Sequence, residues 1–257
     1  MAKLRRDFLP GDLKPELDFA GFQGCVAVQA RQSLEETNWL LKLATEWPFI
    51  LGVVGWFDLR SPQLRSELKA LAPHPKLVGV RHIVQSEPDD NFLRRPEFLR
   101  GISMLEEFDL AYDILIYDTQ VPAAAEFVQR FPRQRFVLDH LAKPPIRSQK
   151  LNPWTLGIQN LAAHPNVSCK LSGLVTEAHW HNWKPEELEP YLDVALECFG
   201  PDRLMIGSDW PVCTVAASYS TVVDAVKQFL TLRTVKVLDR VLGANAQQFY
   251  KLKPPEP

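Results

Sequence analysis

The sequence predicts an α/β chain of the (β/α)₈ TIM-barrel class with its first strand missing or replaced. Three observations carry this. Seven apolar, near-continuous runs of strand length begin near positions 24, 49, 77, 113, 135, 167 and 203, about thirty residues apart. Helical patterns separate them, so the strands are expected to be parallel and covered on both faces. Neither a Gly-x-Gly-x-x-Gly turn nor a phosphate-cradling Gly-Lys-Ser/Thr loop occurs, which disfavours a doubly wound nucleotide-binding sheet.

In chain order, residues 1–20 are polar and broken by proline, an irregular segment in which Pro10–Leu17 could start a short helix. Gly24–Ala30 reads as the first strand, followed by a helix from Ser33 with Glu35 and Glu36 in its first turn. Phe49–Trp56, Leu77–Ile83 and Tyr112–Tyr117 are the next strands, with helices at Gln63–Leu71, Pro96–Phe108 and Val121–Phe131 after them. Arg135–His140 and Val167–Ser172 follow, with helices over Pro153–Ala163 and Pro185–Phe199. The last strand ends in Gly207-Ser208-Asp209-Trp210-Pro211, where proline cannot continue the ladder.

Extending the thirty-residue spacing backwards places an eighth strand before Met1. The expectation is therefore an N-terminally shortened form of a longer parent, one barrel domain over 1–257. The net charge of −2 and interspersed charges exclude a nucleic-acid groove and a basic membrane surface, leaving a small-molecule substrate. Cys25, Cys169, Cys198 and Cys213 form no Cys-x-x-Cys pair and read as reduced thiols. A cytoplasmic protein is expected, with a mitochondrial address as the alternative raised by the basic start Met1–Asp7.

Chemistry in such a barrel belongs at the C-terminal ends of the strands. There stand Gln29 and Arg31, Trp56 and Asp58, Arg81 and His82, Tyr117 and Asp118, Asp139, His140 and Lys143, Lys170 and Ser172, and Asp209 with Trp210. His140 has the chemistry of a general acid or base or a metal ligand, whereas Asp139 should face the opposite way along the strand and be structural. For the same reason only one of Arg81 and His82 can point into the mouth while the strand lasts; a guanidinium there would hold a carboxylate or polarise a carbonyl. Trp56, Trp154 and Trp210 suit the face of a ring or the core. His179-Trp180-His181 imitates a metal-binding pair but lies past a strand end in a loop, where a rim contact with substrate fits better. His74 and His164 sit at helix-to-strand turns, on the opposite end of the barrel from the chemistry.

Arg203–Pro211, with Gly79-Val80-Arg81-His82, Phe136–Pro145 and Cys169-Lys170-Leu171-Ser172-Gly173, resembles the amidohydrolase-related branch of the amidohydrolase superfamily. Within it the match is to the sugar-lactonase group of the L-fucono- and L-rhamnono-lactone type. The resemblance covers nearly the whole chain, from about Leu4 to Ala246. It implies a barrel hydrolase in which Asp209 activates the attacking water, His140 is the histidine of the sixth strand, and Arg81 and His82 contact the substrate. Trp56, Lys143 and Trp210 complete the expected substrate pocket.

The family also carries His-x-His on its first strand, and no such pair lies near the start of this chain. One divalent metal, zinc or manganese, would then be left with His140 and Asp209 as a partial site. Relatives of the pyrone dicarboxylate lactonase type are thought to work without a metal, so the hydrolase reading survives the loss. The expected reaction is the opening of a small sugar-acid or muconate-type lactone. Two other readings are a catalytically impaired homologue acting as a binding protein and a decarboxylase of the same superfamily.

Overall fold

The computed structural model describes residues 2–234 and 237–253. Its centre is one sheet of seven parallel strands in sequence order, β1 Cys25–Val28, β2 Ile50–Gly55, β3 Leu77–Ile83, β4 Ala111–Leu115, β5 Phe136–Leu138, β6 Val167–Leu171 and β7 Leu204–Ile206. The connecting helices are α2 Leu34–Glu46, α3 Leu64–Leu71, α4 Pro96–Leu105, α5 Val121–Gln129 and α6 Trp154–Ala162, then α7 Leu174–Glu177 and α8 Pro185–Phe199 before β7. α9 Tyr219–Thr234 and α10 Asn245–Tyr250 follow. Ser33 caps α2 as its sequence position suggests, its Oγ accepting from the Glu36 amide at 3.2 Å.

The helix expected to be short is not, and residues 1–20 are not irregular throughout. Pro10–Ala20 forms a regular helix, α1, which begins on a proline pre-set for the first turn and stops at Gly21 with φ 79°. Its Leu17 is buried, which fixes the segment against the body of the molecule.

Side chains alternate across the sheet into two cores. Val53, Val80, Tyr112, Phe136, Cys169 and Leu204 face the helices. Val54, Val78, Ala111, Val137 and Met205 face the opposite way and gather with Tyr250 of α10 into a separate buried cluster inside the curl of the sheet. A parallel sheet with apolar residues on both faces needs both faces covered, and here the inner one is covered by the sheet itself.

The alternation is interrupted once where it matters. Val53 pairs with Leu77 and Val54 with Gly79, so β3 carries an extra residue at Val78. One inserted residue reverses the facing of everything after it. Arg81 is thereby directed into the curl and His82 out toward the helices.

Candidate active site

The interior rises from the apolar cluster to a charged layer and then to the mouth. In the charged layer the Lys170 ammonium bridges the carboxylates of Asp113 and Asp139, the latter at 2.7 Å, and Arg81 Nη1 reaches Asp139 Oδ2 at 2.8 Å. Tyr250 Oη donates to Asp113 at 2.8 Å from below. Burial disfavours the charge on Asp139, but Lys170 and Arg81 outweigh it and hold the carboxyl below the usual range. For Asp113, burial wins over Lys170 and pushes the pKa up. The Lys170 pKa is raised despite burial, because two carboxylates flank it.

Asp139 is thus paired with two cations, and it does not face away from the mouth as alternation along a longer strand would require. β5 ends at Leu138, and His140, Leu141, Ala142 and Lys143 all take φ between 52° and 55°. Four successive non-glycine residues in the left-handed region are costly, and such strain persists only where the surroundings fix it. Trp154 Nε1 donates to Leu141 O at 2.7 Å and the Lys143 amide to His140 O at 2.8 Å, holding the turn. The turn carries His140 to the same cavity that Asp139 enters.

At the mouth His140 Nδ1 lies 2.7 Å from Ser172 Oγ, and Nε2 lies 3.7 Å from Asp209 Oδ1. All three line one cavity of about 670 Å³, together with Arg81, Lys170 and Trp210. Asp209 is also left-handed, with φ 55°. Burial lowers the His140 pKa, opposed by the carboxylates of Asp209 and Asp139, so burial favours the neutral imidazole. Two glycines make room for the constellation. A Cβ on Gly173 would stand 2.6 Å from His140 Cγ, and one on Gly207 2.9 Å from Ser172 Cβ.

The other expected pocket residues are elsewhere. His82 is 1% exposed, stacks on Phe92 at 4.9 Å and pairs through Nε2 with Glu87 Oε1 at 2.7 Å, because the β3 bulge turns it outward. Trp56 follows it, its Nε1 lying 3.4 Å from His82 Nδ1. Neither lines the cavity that holds His140 and Asp209. Lys143 is tied to Glu177 at 3.1 Å beside the Tyr117 ring and is absent from the same lining. Trp154 is core, and His179 and His181 are exposed. The residues missed are Asp113 and Tyr250. The signal for the first was a carboxylate inside the apolar run Tyr112-Asp113-Ile114.

Among the described residues no group of three or more His, Cys, Asp or Glu side chains converges on a point that could hold a metal ion. His140 and Asp209 offer two donors, where a catalytic zinc takes three protein ligands and a water. The carboxylates of the charged layer, Asp139 and Asp113, are already engaged by Lys170. The described residues thus do not fit a complete metal centre.

Residues 2–252 match the amidohydrolase family, and the chain belongs to it. It is 41% identical to an L-fucono-1,5-lactonase of Burkholderia multivorans over 100% of this chain and 90% of that protein, and 39% identical to an L-fucono-1,5-lactonase of Burkholderia ambifaria over 97% and 87%. The crystal structure of an amidohydrolase from Burkholderia multivorans with bound zinc superposes with a TM-score of 0.95 at 41% identity, covering 98% of this chain and 92% of that one.

Proposed function

We propose that this chain hydrolyses a small lactone, taking the seven-stranded sheet as a (β/α)₈ barrel without its first strand. The observation that carries the proposal is His140 held between Ser172 and Asp209 at a mouth floored by Arg81 and Lys170, in a chain about 40% identical to two lactonases. Opening a lactone needs a proton taken from the attacking group and one returned to the departing ring oxygen. His140 with Asp209 forms the acid–base pair that does both. Arg81, ordered by Asp139, and the Lys170 ammonium place positive charge where the carbonyl oxygen becomes anionic. Partial exposure of Trp210 at the mouth suits contact with the ring. A sugar-acid lactone is the substrate class that the relatives' activity supports, above a decarboxylation or a binding role.

The test is hydrolysis of L-fucono-1,5-lactone by the purified chain, with and without added zinc or manganese. Asp209→Asn is expected to lower kcat by ~10²–10⁴-fold, the span of a lost acid–base group, with little change in Tm. Undiminished turnover in that variant removes Asp209 from the mechanism, and no turnover of any sugar lactone by the parent chain overturns the reading.

A further inference from the structure

We propose that Gln29 is the positioning residue of Arg81, holding that arginine by its main chain and by its guanidinium and so fixing where the positive charge stands in the cavity. The inference rests on the lactonase reading above and goes beyond it by naming the residue that aims Arg81.

Gln29 stands one residue past the end of β1, Arg81 lies in β3, and β2 runs between the two strands. The Gln29 side chain spans that gap. Its Nε2 donates to the Arg81 carbonyl oxygen at 3.2 Å, while Arg81 Nη2 donates to the Gln29 carbonyl oxygen and lies 3.4 Å from Gln29 Oε1. The amide fits only this way round. Turned over, it would set a lone pair against the Arg81 carbonyl and its own N–H groups against a guanidinium that has no acceptor. A side chain with no exposed surface needs its hydrogen bonds made inside the protein, and both of those described for Gln29 are made with Arg81.

Arg81 has little else to hold it. Nη1 donates to Asp139 Oδ2 at 2.8 Å, and Nε is buried without a partner among the described residues. The guanidinium is thus slung between the chain leaving β1 and the chain leaving β5, and with Asp139 alone it would turn about a single contact. The Gln29 carbonyl is in reach of Nη2 because the Gln29 side chain ties that backbone to the Arg81 main chain.

The loop that carries Gln29 is itself anchored. Glu36, in the first turn of α2, accepts from the amides of Ala30 and Arg31 at 2.9 and 2.6 Å. Gln32 makes a second crossing to β3, its Oε1 accepting from the Ile83 amide at 2.8 Å. An apolar side chain of similar length at position 29 would fill the space but leave the Arg81 carbonyl without a donor and the guanidinium with a wider arc.

Two readouts test the proposal. In the first, Gln29→Met is assayed with L-fucono-1,5-lactone, and kcat is expected to fall ~10–10²-fold, the cost of misplacing a reacting group by about an ångström, with KM within about threefold. In an Arg81→Met background the same substitution should change kcat by less than about twofold, because residues acting as a unit are not additive. Equal falls in both backgrounds, as a role in folding alone would give, overturn the proposal, and so does a parent-like kcat in Gln29→Met. Should a variant fail to fold, Gln29→Asn, whose amide is one methylene short of the Arg81 carbonyl, replaces Gln29→Met, and Arg81→Lys, which lacks the fork, replaces Arg81→Met. The second readout needs no turnover. With arginine labelled by ¹⁵N, the Arg81 guanidinium, assigned by its loss in the Arg81 variant, should show separate Nη signals in the parent that merge in the Gln29 variant as the group turns freely. Signals that stay separate overturn the proposal. A parent chain that opens no lactone but shows the merging refutes the lactonase reading and leaves the positioning of Arg81 standing.

Discussion

Lys170 shows how much one side chain can be asked to do. Its ammonium is the shared cation of Asp113 and Asp139, both buried, and it stands with Arg81 under the mouth. Removing one member of a buried charged set leaves the others uncompensated, which costs more than the set itself contributes. Lys170→Met is expected to destabilise the chain by about 3–5 kcal/mol, read from the midpoint of urea unfolding. A smaller loss would show that the two carboxylates take up a proton between them at little cost. The same residue scale explains why the facing of Asp139 was not legible. Its direction depended on where β5 stops, and Leu138 and Asp139 are equally compatible with a strand end by sequence.

At the scale of elements, the junction after β6 decides the shape of the site. The chain leaves β6 at Leu171, turns through Gly173 with φ 66°, and starts α7 at Leu174. An L-residue at that φ is strained, and here its Cβ would also collide with the His140 ring. Gly173→Ala is expected to cost about 1–3 kcal/mol and to lower kcat together with stability, because the imidazole must move to admit the methyl. A variant with parent-like kcat would mean that His140 has room to yield. The β3 bulge is the second decision made by an element. Sequence reasoning limits Arg81 and His82 to one inward residue, and the extra residue at Val78 selects Arg81. Gly79 is compatible with such an insertion, but a strand glycine equally marks a close backbone approach, so the bulge is settled only in the pairing of β3 with β2.

For the molecule as a whole, the buried histidines link folding to pH. His82 is held below its ordinary pKa, chiefly by burial, against the raising effect of Glu87. The unfolded chain therefore binds a proton at His82 more readily than the folded one, and stability falls as pH drops below the unfolded value near 6.5. His140, also lowered by burial, acts in the same direction. Tm is expected to be higher at pH 7.5 than at pH 5.5, and His82→Gln to narrow that difference, as measured by thermal unfolding at both values. An unchanged difference would assign the acid sensitivity to other groups.

The sequence by itself determined the α/β class, the order of the seven strands and the helices between them, and the identity of the ionisable residues at the strand ends. Those follow from period and composition, which are local properties of the chain. It also located His140, Asp209 and Arg81 at one rim, because parallel strands must all end on the same side. Only the tertiary structure decided which of these side chains meet. The left-handed turn after Leu138, the bulge in β3 and the space left by Gly173 and Gly207 set the facing of Asp139, Arg81, His140 and Ser172. Each depends on contacts between segments far apart in the chain, where shifting the facing of a side chain by one residue moves it from one side of the sheet to the other.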